Sequence, residues 1–267
     1  MGNTDSTDST DSTAIRFRIA AARRMLYREG CDSTVAGHVS ARADSKNSFW
    51  VTGFEYFDQT LPDGVALLDT DLTVLHGDFP MSPAVNFHAR IYRERLDVGA
   101  IVHLHSHYVS VLSSTMRPVG MYNVAAVLFH EEQATYFDDG VKSHLEVVDA
   151  LGDKRVVLMK NHGAIIASDT LENATIEAIT LEACARYHLE CEAAGGTEIL
   201  EAEVIAGKAM YRRHYLPNMW EANFARLRRS DPDLFALLEI PQPPGQPDSE
   251  SRTSSARTAP VAGASVG

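Results

Sequence analysis

The spacing of apolar residues changes period along the chain, and each period predicts an element. Ile15, Ile19, Met25 and Leu26 fall near helical spacing and Gly30 closes the run, so a helix is predicted over residues 14–29. Short apolar stretches from Phe49 to Thr52 and from Val65 to Asp69, with Gly and Asp turns between them, predict strands. Ser82 followed by Pro83 has the form of an N-cap with proline at the first helical position, opening a predicted helix that reaches Arg95. Gly99 to Leu104 and Arg155 to Met159 are compact β-branched runs, hence buried strands, and Ser106 to Ser114 predicts a short helix. Two long helical patterns, 170–194 and 199–214, follow. Helices flank the strand group on both sides, which predicts a three-layer α/β/α domain.

The two ends carry no such pattern. Residues 1–12 read MGNTDSTDSTDS, and from Pro241 the chain is rich in Pro, Ser and Gly. Neither stretch has apolar surface to bury, so both are expected to be disordered, leaving one domain over residues 13–240. The total of 267 residues suits a single compact domain.

Charge narrows the partners. There are 24 basic and 36 acidic side chains, a net charge of −12, with no basic run. Nucleic acid and anionic membrane are therefore excluded as expected partners, and an anionic substrate would need a local positive element such as a metal. The three cysteines, Cys31, Cys184 and Cys191, form neither CxxC nor a disulfide framework, which fits a reducing compartment. No N-terminal apolar segment and no run near ~18 apolar residues occurs, so a soluble, cytoplasmic protein is expected.

The chemistry sits in the histidines. His103 and His105 lie two apart at the C-terminal end of a predicted strand, so alternation puts both rings on one face with Leu104 on the other. His162 follows a second β-branched run, and Gly163 permits a tight turn beside a ligand. Three neutral imidazoles can hold one divalent ion at about 2.0–2.1 Å and leave positions open, as a catalytic rather than structural site requires. The alternative for the pair is two sheet histidines satisfied by carbonyls, and for His162 a plain turn residue.

The segments GHVSAR (37–42), VTG (51–53), FHARIYRERLDVGAIVHLHSHY (87–108) and NHG (161–163) resemble the class II aldolase/adducin family in order and spacing. The resemblance implies a central, largely antiparallel sheet, a metal on His103, His105 and His162, and a homotetramer with sites between subunits. It departs from the family's sugar-phosphate aldolases at two places. Ala84 stands four residues before His88, where those enzymes carry a glutamate that moves a proton, and His38 replaces an asparagine that helps hold phosphate. Both departures resemble the adducin-like branch and count against cleavage of a sugar phosphate.

Two chemistries tolerate the loss of that glutamate. The chain resembles the family's non-haem iron oxygenase type from aminocoumarin antibiotic biosynthesis, which shortens a prenylated 4-hydroxyphenylpyruvate to the benzoate. That resemblance implies Fe(II), O₂ and oxidative decarboxylation of an aryl 2-oxo or 2-hydroxy acid. The alternative is a non-oxidative aldolase or decarboxylase on a similar acid, using Zn(II) or Mn(II), and a third is a non-catalytic adducin-like scaffold. His38 and Arg42 are the candidate catalytic groups, Arg42 pairing either a substrate carboxylate, a neighbouring subunit or a surface partner. Ser40, Thr52, Gly53 and Ser82 are the candidate substrate-binding residues. His88 is expected in the core or beside the ligands, His107 pointing away from the metal, and His130, Glu131 and Glu132 on a solvated helix face. The aromatics of FWVTGFEYF (49–57), with Phe87 and Phe129, read either as core or as an apolar substrate wall.

Overall fold

The computed structural model describes residues 5–45, 47–77, 80–137 and 145–239. Among them the strands are β1 (His38–Arg42), β2 (Ser48–Thr52), β3 (Val65–Asp69), β4 (Val74–His76), β5 (Ala100–Leu104), β6 (Gln133–Tyr136), β7 (Val156–Met159) and β8 (Gly163–Ser168). They form one sheet in the order β4-β3-β2-β1-β5-β8-β7-β6, antiparallel throughout except for the parallel pair β6–β7. The expected central, largely antiparallel sheet is what the chain builds.

The helices are α1 (Asp5–Arg28), α2 (Val85–Glu94), α3 (His107–Ser113), α4 (Glu146–Leu151), α5 (Leu171–Ala193), α6 (Glu201–Met210), α7 (Leu216–Ser230) and α8 (Pro232–Glu239). Side chains alternate between two buried layers. Val39, Trp50, Val102, Leu104, Leu158 and Ile166 join the core with α1, α3 and α5. Phe49, Val51, Leu68, Ile101, Val157 and Ile165 join α2 and α4. Burial on both faces explains why β5 and β8 read as unbroken apolar runs rather than alternating ones, and it confirms the α/β/α layers. Among the described residues no helix is long and apolar enough to cross a membrane.

Several local readings change. Helix α1 begins at Asp5, inside the Ser/Thr/Asp repeat expected to lack structure, because a helix nucleated by its packed segment extends outward at little cost. Ser82 does not cap α2. Its hydroxyl accepts the Ala84 N–H at 3.2 Å and its carbonyl the Val85 N–H at 3.0 Å, so Pro83 sits second in a turn and the helix starts afterwards. The last long helical pattern does not stop at 214. It passes through a π-helical turn, Tyr211–Tyr215, into α7, and the widened turn accommodates Pro217. His130, Glu131 and Glu132 are not on a helix face. They form a turn between a 3₁₀ segment, Val124–Phe129, and β6, with Glu131 at φ 60°. The turn expected at Asp138, Asp139 and Gly140, residues 1–4 of the N-terminal stretch and the tail 241–267 lie outside the described residues.

Where β8 begins, its backbone lies close against the end of β5. A Cβ on Gly163 would lie 2.1 Å from the Leu104 carbonyl oxygen, a backbone atom that cannot rotate away. Gly163→Ala is therefore expected to destabilise the domain by about 1–3 kcal/mol, in line with overpacking. Urea unfolding checks this, and a midpoint equal to the parent's would show that the strands part freely.

Candidate metal centre

His103 is the penultimate residue of β5 and His105 follows the strand end, so strand alternation carries both rings to the same face. His162 comes from the turn between β7 and β8, closed by its N–H donating to the Met159 carbonyl at 3.0 Å, with Asn161 at φ 56°. Pairing of β5 with β8 sets that turn beside the end of β5. The three rings converge, with ligand nitrogens all within 4.8 Å of one another. His103 is buried, His105 half-buried and His162 exposed, so the group opens to solvent on one side.

The ring orientations suit a metal. His103 Nδ1 lies 3.0 Å from the Ala164 carbonyl, which can only accept, so Nδ1 carries the proton and the Nε2 lone pair faces inward. That Nε2 is 2.9 Å from His105 Nε2, close to the roughly 3.3 Å edge of a tetrahedron with 2.0–2.1 Å arms. The His105 backbone N–H donates to Ser33 Oγ at 2.7 Å. The next residues are fixed by Glu182 on α5, whose carboxylate accepts from Ser106 Oγ at 2.6 Å, the Tyr108 N–H at 2.9 Å and the Val109 N–H at 2.8 Å. Ser110 Oγ donates to the His162 carbonyl at 3.1 Å, tying α3 to the third histidine.

Burial, and then the neighbouring imidazoles, hold His103 well below the ordinary histidine range, and lower His105 to about 4. Both rings are thus neutral at neutral pH, the state a ligand needs. The donor set, its tautomer and its charge all fit one divalent ion held by His103, His105 and His162.

Behind the ligands lies a second row. The His38 ring stacks on His103 with centroids 5.3 Å apart, because β1 pairs with β5 with His38 opposite His103. His38 is buried, and among the described residues neither ring nitrogen has a hydrogen-bond partner. Burial followed by the charge of His88 keeps it well below the usual range. His88 Nδ1 is 2.7 Å from Ser40 Oγ, which is 2.8 Å from Tyr92 Oη. If Tyr92 donates to Ser40 and Ser40 to His88, every proton in the chain is used, which leaves the His88 proton on Nε2. Phe87 covers this group edge-on to His103, with centroids 5.1 Å apart.

The expected substrate-binding and catalytic residues divide. Ser40 is fully buried in the His88–Tyr92 chain, so it positions His88 and does not face a ligand. Thr52 is also fully buried, its Oγ1 accepting the Val39 N–H at 3.2 Å, and it joins β2 to β1 instead of offering a hydroxyl outward. Arg42 is at the opposite end of β1 from His38, about 13 Å along the strand. Its guanidinium donates to the carbonyls of Val98 at 3.0 Å, Tyr92 at 2.9 Å and Arg95 at 2.9 Å. These contacts hold the end of α2. Gly53 is buried beside His38, and the Phe54 N–H donates to the Pro80 carbonyl at 3.3 Å, which brings the Ser82 segment alongside. His107 starts α3 edge-on to Tyr108 and stands outside the three-histidine group. Of the aromatics, Phe49, Trp50, Phe57 and Phe129 are core, while Phe54 and Tyr56 are exposed. Ser33 and Glu182 escaped notice because only tertiary contact, 72 and 76 residues apart in sequence, gives them a role.

Residues 17–189 match the model of the Class II Aldolase and Adducin N-terminal domain. The chain is 30% identical over 250 residues to the 4-hydroxy-3-prenylphenylpyruvate oxygenase/4-hydroxy-3-prenylbenzoate synthase of Streptomyces roseochromogenus subsp. oscitans, covering 86% of this chain and 88% of that protein. It is 28% identical over 201 residues to the 5-deoxy-D-ribulose 1-phosphate aldolase of Bacillus thuringiensis serovar kurstaki, covering 72% and 94%. The fold is also that of the L-fuculose 1-phosphate aldolase from Glaciozyma antarctica PI12, with a TM-score of 0.77, 24% identity and coverage of 88% and 96%.

Two outcomes follow from this geometry. His162→Ala leaves two nitrogens of three, and is expected to lose metal by tenfold or more in affinity, read by elemental analysis after dialysis. In the metal-free protein His38, His88 and His103 have folded pKa values below their unfolded value of about 6.5, all chiefly through burial. Their contribution is therefore complete above that pH and is lost as pH falls below it, by up to about 1.4 kcal/mol per pH unit for each ring. Urea midpoints between pH 7.5 and 4.5 should fall steadily; a flat profile would mean that these rings are solvated.

Proposed function

Because this chain belongs to the class II aldolase/adducin family, whose matched relatives include an oxygenase and an aldolase, we propose that it is a metal-dependent enzyme cleaving a carbon–carbon bond, specifically an Fe(II) oxygenase that oxidatively decarboxylates an aryl 2-oxo or 2-hydroxy acid. The observation that carries this reading is a donor set of three converging imidazoles, open on one side, with Ala84 where the family resemblance would place a proton-moving glutamate. Similarity to the prenylphenylpyruvate oxygenase along most of both chains supports the oxidative branch.

When bound, a divalent ion supplies Lewis acidity toward a chelating acid and, as Fe(II), the electron transfer that O₂ requires. The chain does the rest. His103, His105 and His162 hold the ion. His38, stacked on His103, backs the ligand ring from the buried side. Phe87 keeps water from the inner side of the site, and Gly53 and Ser82 border the acid. Phe54 and Tyr56, exposed just beyond Gly53, offer aromatic surface to an aryl group. For an arylpyruvate the balance is one O₂ per CO₂: the C1–C2 bond breaks, one oxygen atom completes the new carboxyl, and the other hydroxylates the adjacent carbon. The product is then a 2-hydroxy acid.

A non-oxidative lyase is the second reading, favoured by similarity to a sugar-phosphate aldolase over nearly all of that enzyme. With Fe(II) added anaerobically and then air admitted, a panel of aryl 2-oxo acids should give O₂ uptake and CO₂ release in equal amounts. Turnover that is unchanged without O₂ would replace the oxygenase by the lyase. Metal below about a tenth of an equivalent in the purified protein would favour a non-catalytic scaffold.

A further inference from the structure

Arg23, on α1, has no exposed side-chain surface and no role in the site so far described. Its Nη1 donates to the Gly53 carbonyl at 3.1 Å and to Glu55 Oε1 at 3.3 Å. Its Nη2 donates to the carbonyls of Gly37 at 3.0 Å and Glu55 at 2.8 Å. The guanidinium carbon lies 4.5 Å from the centre of the Phe57 ring. Burial lowers its pKa to about 10, so it remains a cation at neutral pH.

What it joins is specific. Gly37 directly precedes His38 and Gly53 directly follows Thr52, so both lie at the open end of the β1–β2 hairpin. The connecting turn is at the other end, and the last backbone pair toward the open end is Ser40 with Val51. Beyond that pair no backbone pairing continues among the described residues: the Thr52 hydroxyl accepts the Val39 N–H at 3.2 Å, and Arg23 bridges the next two positions, Gly37 and Gly53. Arg23 spans them with one planar fork, a geometry that a lysine ammonium does not reproduce. Gly37 is packed so closely that a Cβ there would meet the Phe57 ring at 2.6 Å and the His103 carbonyl at 2.9 Å.

We infer that Arg23 is a positioning residue: a buried cation that clasps the His38 and Gly53 segments at the separation a bound 2-oxo acid anion requires. The ligand half of this inference rests on the substrate class proposed above; the clasp itself does not. Two measurements separate them. In metal-loaded Arg23→Lys, amide hydrogen exchange should rise tenfold or more at His38–Val39 and Gly53–Phe54 together, while β5 and β8 stay within twofold of the parent. Calorimetry with phenylpyruvate on the Zn(II)-loaded protein should show at least tenfold weaker binding at unchanged metal content. Exchange rising equally across the sheet would make Arg23 a general stabiliser and overturn the clasp, as would affinity within twofold of the parent. A parent protein that binds no phenylpyruvate would count against the proposed substrate class, with the exchange data still deciding the clasp. Should Arg23→Lys not fold, Glu55→Gln removes the carboxylate in direct contact with the cation and keeps its three carbonyls. Exchange should then rise about threefold at both segments, and a rise confined to the Glu55 turn would overturn the inference.

Discussion

β5 is bonded along both edges, to β1 on one side and β8 on the other, and its register against them determines where His38, His103 and His162 meet. Opposite His103 on one edge is His38; beyond its end on the other is the turn that carries His162. A slip of one residue would send His103 into the α1 layer and Leu104 toward the metal side, because side chains alternate strictly along a strand. The register is secured by burial on both faces, Val102 and Leu104 packing with one helical layer and Ile101 with the other. The geometry of the metal centre is thus a by-product of core packing, with little left for flexible loops to decide.

That arrangement concentrates imidazoles where charge is expensive. His38, His88 and His103 are buried together, and each is held neutral by its surroundings. Neutral nitrogens are what a divalent ion binds, so desolvation serves as preparation for the ligand. The cost appears as ring nitrogens without partners in His38 and His88, beside a His103 whose tautomer is fully fixed by Ala164. Such unsatisfied groups beside three converging imidazoles are the kind of stored cost that accompanies function.

The polar groups around the site divide by what they orient. Glu182 and Ser33 set the segment after β5, Ser40 and Tyr92 set His88, and Arg23 sets the two ends of the β1–β2 hairpin. The catalytic chemistry of a family can change on such a frame by exchanging one or two side chains at the open face.

The sequence by itself determined the layer architecture, the two central buried strands and the convergence of three histidines. Strand alternation and β-branched runs are local properties, and HxH at a strand end has one geometric consequence. It could not decide the fate of HVSAR. Ser40 and Arg42 looked alike as polar residues on one strand, yet one is sealed beneath α2 and the other caps the end of that helix. Thr52 likewise spends its hydroxyl on a neighbouring strand. The roles of Arg23, Ser33 and Glu182 were equally invisible, because a carboxylate 76 residues from the serine it holds leaves no periodicity to read. Only tertiary packing, which brings distant backbone groups within hydrogen-bonding range, settles whether a polar side chain faces a substrate or supports the chain behind it.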